Sequence, residues 1–490
     1  MTAWKRLAEL APGSSTLSLE TRQMTWLLAC LSRNATSEFG LQHGFSGIDS
    51  LASYQNSVPI CNYDDVRDTI QRIASGTPDL LFAGAPVAFE RTGGSSGGGK
   101  LIPYSAHSLL DFRRALLCWL HDAITGHALQ EGCVYWALSP ATRSAEVTPA
   151  GIPVGLPDGA YFGPDAGEMF CSLSAVPFAL ASETDVAVWQ RETLYWLLRR
   201  ADLALISVWS PSFFSSLLDA LPQHAETLLA RLSNDDADSA RRLEHWLHNG
   251  KPQALWPRLR LVSCWADASS RPHFDDLRER LPHAFFQPKG LLSTEAVVTV
   301  PDAADRPLLA ADCGFYEFLD DDGTVHPAWM LRPNERYEVV LTTAGGLYRY
   351  RTGDRVLCSG HVDELPELRF VGRGSQTSDL VGEKLTDDFV ADCLAGIPGF
   401  RLLSPCARPA SYVLVHDGRH APNLQQIEEL LHGNPQYAYA RRIGQLQPLT
   451  EKIVPDALSR YQAHAIARGQ RIGDIKLPAL CLNTDWLAQE

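Results

Sequence analysis

Arg91-Thr-Gly-Gly-Ser-Ser-Gly-Gly-Gly-Lys-Leu-Ile-Pro-Tyr-Ser105 is the most informative stretch of this chain. Five glycines between Thr92 and Lys100 free the backbone to turn sharply and present its N–H groups. Ser95 and Ser96 add hydroxyls, and Lys100 adds a positive charge. With Thr92 and Gly97 they suit the oxygens of a polyphosphate. A flexible Gly/Ser linker is the competing reading. A linker rarely ends in lysine and rarely runs at once into an apolar segment such as Leu101-Ile-Pro-Tyr104. The loop is a near miss for a Walker A motif: Gly94, Gly99 and Lys100 fit, but Leu101 stands where Ser or Thr would hold Mg2+. The dinucleotide fingerprint also fails, because no ribose-binding acid follows at the right distance within a βαβ unit.

Outward from the loop the pattern is mixed. A helix is expected over residues 14–34, and Asn62-Tyr-Asp-Asp65 opens another that runs to about Ala74. Ser108 to Thr125 reads as a long amphipathic helix, and Glu183 to Leu198 as a further one. Asp202 to Trp209 and Leu259 to Trp265 have the composition of buried strands. Pro211 to Leu221 reads as a short helix between them. Five further strands are expected between Phe285 and Arg351, the last being Leu347 to Arg351. A polar stretch, Gly374 to Asp379, marks a boundary. It divides a large N-terminal unit, 1–378, from a small α+β unit, 379–490.

The chain has 490 residues, 45% of them hydrophobic, 20% charged, and a net charge of −14. That balance is ordinary for a globular enzyme and argues against a broad nucleic-acid surface. Eleven scattered cysteines with no CxxC pair indicate neither a zinc ribbon nor a disulfide framework, and fit a reducing cytoplasm. Leu203 to Leu218, the best apolar run, is broken by serines and Pro211, so no membrane span is expected. No G-x-S-x-G elbow, H-E-x-x-H pair or EF-hand loop is present. Nothing in the sequence fixes an oligomeric state.

Three later motifs follow in order. Gln287-Pro-Lys-Gly-Leu-Leu-Ser-Thr-Glu295 ends in two hydroxyl residues and a carboxylate. Glu295 is a hard oxygen ligand for a metal bridging phosphates, or simply a solvated charge. Tyr348-Arg-Tyr-Arg-Thr-Gly-Asp354 reads as a strand that ends in Gly-Asp and places a carboxylate at a turn. Such a carboxylate can accept two ribose hydroxyls or merely cap its own turn. Phe370-Val-Gly-Arg373 and Ser378-Asp-Leu-Val-Gly-Glu-Lys384 flank the expected boundary, with glycines suited to a hinge. Near the end stands Gly473-Asp-Ile-Lys476-Leu-Pro478.

Taken in order from about Glu90 to Pro478, these motifs resemble the Gretchen Hagen family of acyl-acid amido synthetases, most closely its bacterial-type members. The family belongs to the adenylate-forming enzymes. Gly93 departs from it, since many relatives carry Ser there. The resemblance implies a fold that is α/β plus α+β: a large N-terminal domain with β-barrel and α/β subdomains, and a small mobile C-terminal α+β domain. It implies that Thr92, Ser95, Ser96, Gly97 and Lys100 bind the ATP phosphates. Thr294, Asp354 and Arg373 would bind the nucleotide, with Asp354 on the ribose, and Glu295 would help hold Mg2+. Lys384 would approach the α-phosphate. Lys476 would swing over the reacting carboxylate.

The implied activity is an ATP-dependent ligase. It adenylates a small carboxylic acid and passes the acyl group to an amine, often an amino acid, with release of AMP and pyrophosphate. The same adenylation step would serve an acid–thiol ligase, and an idle nucleotide-binding partner protein would share the motifs. For the acyl pocket, Phe112 and Leu116 on the helix after the loop, and Trp209 and Phe213, are the candidates. Their alternative place is the hydrophobic core.

Overall fold

The computed structural model describes all residues except 1, 14, 93–99, 138–145, 157, 374–376, 382, 443–444, 471 and 488–490, together with the side chains of 158, 164, 165, 269, 373 and 474. Four strands, Cys133–Trp136, Leu203–Ser207, Leu261–Cys264 and Phe285–Pro288, lie side by side in that order, all parallel. The first three runs, the edge strand Cys133–Trp136 and the two inner strands, are buried, as a parallel sheet covered on both faces requires. Alternation along the strands decides what each face meets. Val134, Trp136, Leu205 and Leu261 pack with Trp119 and Leu120 of the helix Ala106–Gly126. Tyr135, Ile206 and Val262 pack with Leu197 of the helix Val186–Leu198 and with Phe214 and Leu217 of the helix Pro211–Asp235.

A seven-stranded antiparallel sheet follows. Its spatial order is Val325–Pro327, Phe315–Leu319, Arg336–Thr342, Tyr350–Val362, Leu365–Arg373, Pro307–Leu309 and Thr299–Pro301. Tyr316, Phe318, Val339, Leu341 and Val356 form one core with Ile70 and Ile73 of the helix Tyr63–Ala74. The glycine loop closes a hairpin of Ala88–Arg91 and Leu101–Tyr104, which edges a separate four-stranded sheet. The C-terminal part packs Arg401–Ala407 and Ala410–His416 against helices Asp387–Leu394, Leu424–Leu431 and Pro435–Arg442, with Thr450–Ile453 paired parallel to Ala410–His416. The architecture is the expected α/β plus α+β fold. No helix among the described residues is long and apolar enough to cross a membrane.

Two local expectations need correction. The helix that starts at Pro211 does not stop at Leu221 but runs through Pro222 to Asp235. Pro222 removes one backbone donor, yet Leu228 and Leu232 on the continuing turns are buried at 1% and 0% exposure, and their burial outweighs that loss. The strand around Arg351 does not end in Gly353-Asp354. It starts at Tyr350 and continues to Val362, with Thr352 to Asp354 bulged opposite Val339. Gly353 takes φ +78°, a conformation that glycine adopts without strain, so the ladder resumes at Arg355.

Candidate active site

The hairpin brings the base of the glycine loop against three other elements. Thr92 N–H donates to the Lys100 carbonyl at 2.9 Å, and Lys100 N–H donates to Thr92 Oγ1 at 3.0 Å. The Lys100 ammonium lies 5.4 Å from the Tyr63 ring centroid and 5.8 Å from that of Tyr350, and donates to the Tyr350 hydroxyl at 3.2 Å. Tyr63 stands at the start of its helix because Asn62 caps it and Asp65 bonds back to the Asn62 N–H at 2.8 Å. Its hydroxyl accepts from Leu101 N–H at 2.9 Å. Ser95, Ser96 and Gly97 lie outside the described residues. The far end of the hairpin is pinned by Ser105, whose hydroxyl donates to the Ala344 carbonyl at 2.7 Å. Gly345 follows, where a Cβ would come 2.8 Å from the Pro103 carbonyl.

The Tyr104 hydroxyl donates to the Thr294 carbonyl at 2.7 Å, tying the hairpin to the turn that carries Glu295. Glu295 is 8% exposed, so it is not a solvated surface charge. Its carboxylate has no hydrogen-bond or ion-pair partner among the described residues and lines a small cleft with Tyr104, Asp111, Phe112 and Gly345. Burial pushes the Asp111 carboxyl up to about 7, against a hydrogen bond from Trp26 and the nearby Arg114 and Arg33. Phe112 is half-buried on the same cleft, its ring 4.9 Å from that of Tyr161. Leu116, one turn on, is in the core.

Asp354 is 2% exposed and sits at the bulge, its N–H donating to Thr352 Oγ1 at 3.0 Å. It is in register with Arg373, the last residue of the neighbouring strand. The two nucleotide-site expectations therefore meet across one ladder. Arg351, by contrast, pairs with Glu338, Nε to Oε1 at 2.8 Å, on the surface. It is a structural ion pair.

On the C-terminal side, Lys384 is exposed and held at φ +47°. The adjacent Glu383 is fully buried. Its carboxylate accepts from Leu380 N–H and Val381 N–H, both at 2.8 Å, and from the Tyr412 hydroxyl, so it shapes the loop that presents the lysine. Lys476 is exposed, with its ammonium 5.2 Å from the Trp265 ring centroid. Trp265 lies 6.1 Å from Trp209, and both follow the carboxyl ends of parallel strands. Thus Trp209 is brought to the Lys476 side of the sheet. Phe213 is not: it is fully buried in the core, 5.5 Å from Trp189.

Asp111 lies outside every motif and Lys289 lies inside the Gln287–Glu295 stretch, but sequence reasoning singled out neither. Lys289 follows the strand Phe285–Pro288 and is 5% exposed. Its ammonium donates to Ser207 Oγ at 2.6 Å and lies 4.7, 5.4 and 5.4 Å from the ring centroids of Trp119, Trp136 and Trp209. Burial pushes it down to about 7. The signal for it was faint: a lysine directly after a strand that ends in a parallel sheet.

Parallel strands with basic and aromatic side chains beyond their carboxyl ends, beside a glycine-loop hairpin tied to a Ser-Thr-Glu turn, describe a nucleotide-dependent ligase fold. Comparison with known proteins agrees. The GH3 family N-terminal domain matches residues 14–285 and the GH3 family central domain matches residues 308–373. The chain belongs to the GH3 family. It is 23% identical to the indole-3-acetic acid-amido synthetase GH3.15 of Arabidopsis thaliana, over 96% of this chain and 92% of that one. It is 24% identical to the jasmonoyl–L-amino acid synthetase GH3.5 of Oryza sativa subsp. japonica, over 74% and 72%. Among solved structures, the acyl acid amido synthetase AtGH3.15 in complex with 2,4-DB superposes with a TM-score of 0.83 at 20% identity, covering 99% of this chain and 95% of that one.

Proposed function

We propose that this protein is an ATP-dependent acyl-acid amido synthetase that works in the cytoplasm on a small carboxylic acid and an amine, commonly an amino acid. The observation that carries the reading is the bond from Tyr104 to the Thr294 carbonyl. It fastens the lysine-bearing hairpin to the turn of Glu295, so a cation and a buried carboxylate are supplied together.

In the first step an oxygen of the acid's carboxylate attacks the α-phosphorus of ATP. A new P–O bond forms, the bond to the β-phosphate bridge breaks, and pyrophosphate leaves. Lys100 and the glycine loop hold the β- and γ-phosphates, Asp354 and Arg373 hold the nucleoside, and Lys384 approaches the α-phosphate. Lys476 leaves Trp265 to offset charge between the acid and the α-phosphate. The protein's work is mostly positioning. Among the described residues no group of three or more His, Cys, Asp or Glu side chains forms a metal site. The unpartnered, buried Glu295 is nonetheless a fitting single protein ligand for a Mg2+ ion whose other ligands are phosphates and water. When bound, that ion would neutralise phosphate charge.

In the second step the amine nitrogen attacks the acyl carbon, the acyl–phosphate bond breaks, AMP leaves, and the nitrogen gives up a proton. Residues 379–490 turn relative to 1–378 between the steps, replacing Lys476 by an amine-binding surface. The test is ATP–pyrophosphate exchange across a panel of carboxylic acids with no amine present. Exchange that requires one acid is the expected result. ATP binding with no exchange for any acid would contradict the reading.

A further inference from the structure

Other buried cations in this chain have their own acceptors. Arg349 pairs with Glu317 at 2.9 Å, and Arg401 donates to the carbonyls of Leu394 and Gly399, both at 2.8 Å. Lys289 differs. Its ammonium has one bond, to Ser207 Oγ, and no carboxylate within ion-pair distance among the described residues. The rest of its surroundings are indole faces. These attract a cation but accept no conventional hydrogen bond.

A second polar group beside it is also unmatched. Ser263 is in register with Ser207 on the neighbouring strand, so the two side chains share one face of the sheet. Ser263 Oγ is fully buried and has no hydrogen-bond partner among the described residues. Trp136 is in register with Ser207 on the other side and shares that face. An underbonded ammonium and an unbonded hydroxyl therefore stand near one another among tryptophans, at the carboxyl ends of parallel strands, the end at which ligands of such sheets bind. Buried polar groups are otherwise almost always paired.

The place of this group relative to the reaction is fixed by two rings. Lys476 lies on Trp265, Trp265 lies against Trp209, and Trp209 faces Lys289. Two indoles stand between the two lysines. If Lys476 serves the reacting carboxylate, Lys289 is at the opposite, interior end.

We propose that Lys289, Ser207 and Ser263 form the specificity end of the acyl site and bind an oxygen function carried by the acid at the end remote from its reacting carboxylate. This rests on the reading of the chain as an acid-adenylating ligase. The substrate class is an acid with an apolar or aromatic body and a second carboxylate, or a hydroxyl or carbonyl oxygen, at its far end. A carboxylate would complete the ion pair that Lys289 lacks, and the Ser263 hydroxyl would donate to the same oxygen.

The experiment is ATP–pyrophosphate exchange by the full chain on matched acids: hexanoic against adipic, benzoic against 4-carboxybenzoic, and benzoic against 4-hydroxybenzoic. The expected result is a kcat/KM ratio at least about tenfold in favour of the oxygen-bearing acid in one pair, falling toward one in K289M and several-fold in S263A. A preference confined to the dicarboxylic acids identifies an anionic group; one confined to 4-hydroxybenzoic acid identifies a neutral oxygen. Each ratio is internal to one preparation, so a partly unfolded sample does not imitate the effect. If K289M does not fold, S263A decides, because it removes a hydroxyl that has no bond to lose. A wild type without preference in any pair, or an unchanged ratio in the variant, overturns the proposal. No exchange with any acid would instead remove the ligase reading and the proposal with it.

Discussion

The Lys100 ammonium donates to the Tyr350 hydroxyl at 3.2 Å, and Tyr350 begins the strand whose bulge holds Asp354. One hydrogen bond thus couples the proposed phosphate end of the nucleotide site to its proposed ribose end. Y350F keeps the ring and removes the bond, and should raise the KM for ATP about three- to tenfold, in line with ~1 kcal/mol for a hydrogen bond. K100M should lower kcat/KM for ATP by more than about a hundredfold, since a charge on the phosphates is lost. An unchanged KM in Y350F would mean that the tyrosine only packs.

Asp354 is buried yet presents its carboxylate from a bulge opposite Arg373. D354A should weaken ATP binding about tenfold or more while leaving the discrimination between ATP and 2′,3′-dideoxy-ATP near one. Titration calorimetry with both nucleotides checks this. A variant that still prefers ATP over the dideoxy form would refute the ribose role.

Glu295 is nearly inaccessible and unpartnered among the described residues. E295Q preserves its volume and removes its charge. The Mg2+ concentration for half-maximal exchange should rise about tenfold, because a charged oxygen ligand becomes a neutral one. An unaltered Mg2+ titration would sink the metal role.

Lys476 rests on Trp265 through a cation–π contact, worth only about 0.5–1 kcal/mol at an exposed site. K476A should slow adenylation by about a hundredfold or more and slow amide formation from a supplied acyl-adenylate far less. Equal slowing of both half-reactions would count against the assignment.

Lys289 makes stability depend on pH in a definite direction. An unfolded lysine keeps its proton to about pH 10.4, whereas the folded chain releases it near 7. Between those values the unfolded state binds more protons, so this side chain makes stability rise with pH. Below about 7 both states are protonated and the cost of burying the ammonium is full; above about 10.4 that cost is gone. The span is at most on the order of 4–5 kcal/mol, and three indole faces reduce it. Among the described residues, the titratable group that acts on the ammonium is Cys264, which burial pushes up to about 12 and keeps neutral. The Tm of the wild type minus that of K289M should therefore increase between about pH 6.5 and pH 9.5. A flat difference would show that Lys289 stays charged throughout.

The elements that were legible in the sequence are those with local causes. The helix Tyr63–Ala74 begins where Asn62 and Asp65 form their capping box. The parallel strands Leu203–Ser207 and Leu261–Cys264 are continuous apolar runs. Pro222 misled because a proline is a local signal, while the core that accepts Leu228 and Leu232 is not. Asp354 was expected at a strand end because Gly-Asp is a turn signal; only pairing with two neighbouring strands makes it a bulge. The cage of Lys289 was invisible for the same reason. Its walls, Trp119, Trp136 and Trp209, are drawn from a helix and two strand ends far apart in the chain.

In the proposed reaction ATP is spent to join an acid to an amine through an acyl-adenylate. The most direct measurement is product analysis after incubation with ATP, Mg2+, the acid that supports exchange, and a mixture of amino acids. AMP and pyrophosphate in equal amounts, with a new amide that carries the acid's mass, are the expected products. ADP and phosphate, or AMP formed with no amide under any amine, would contradict the proposed reaction.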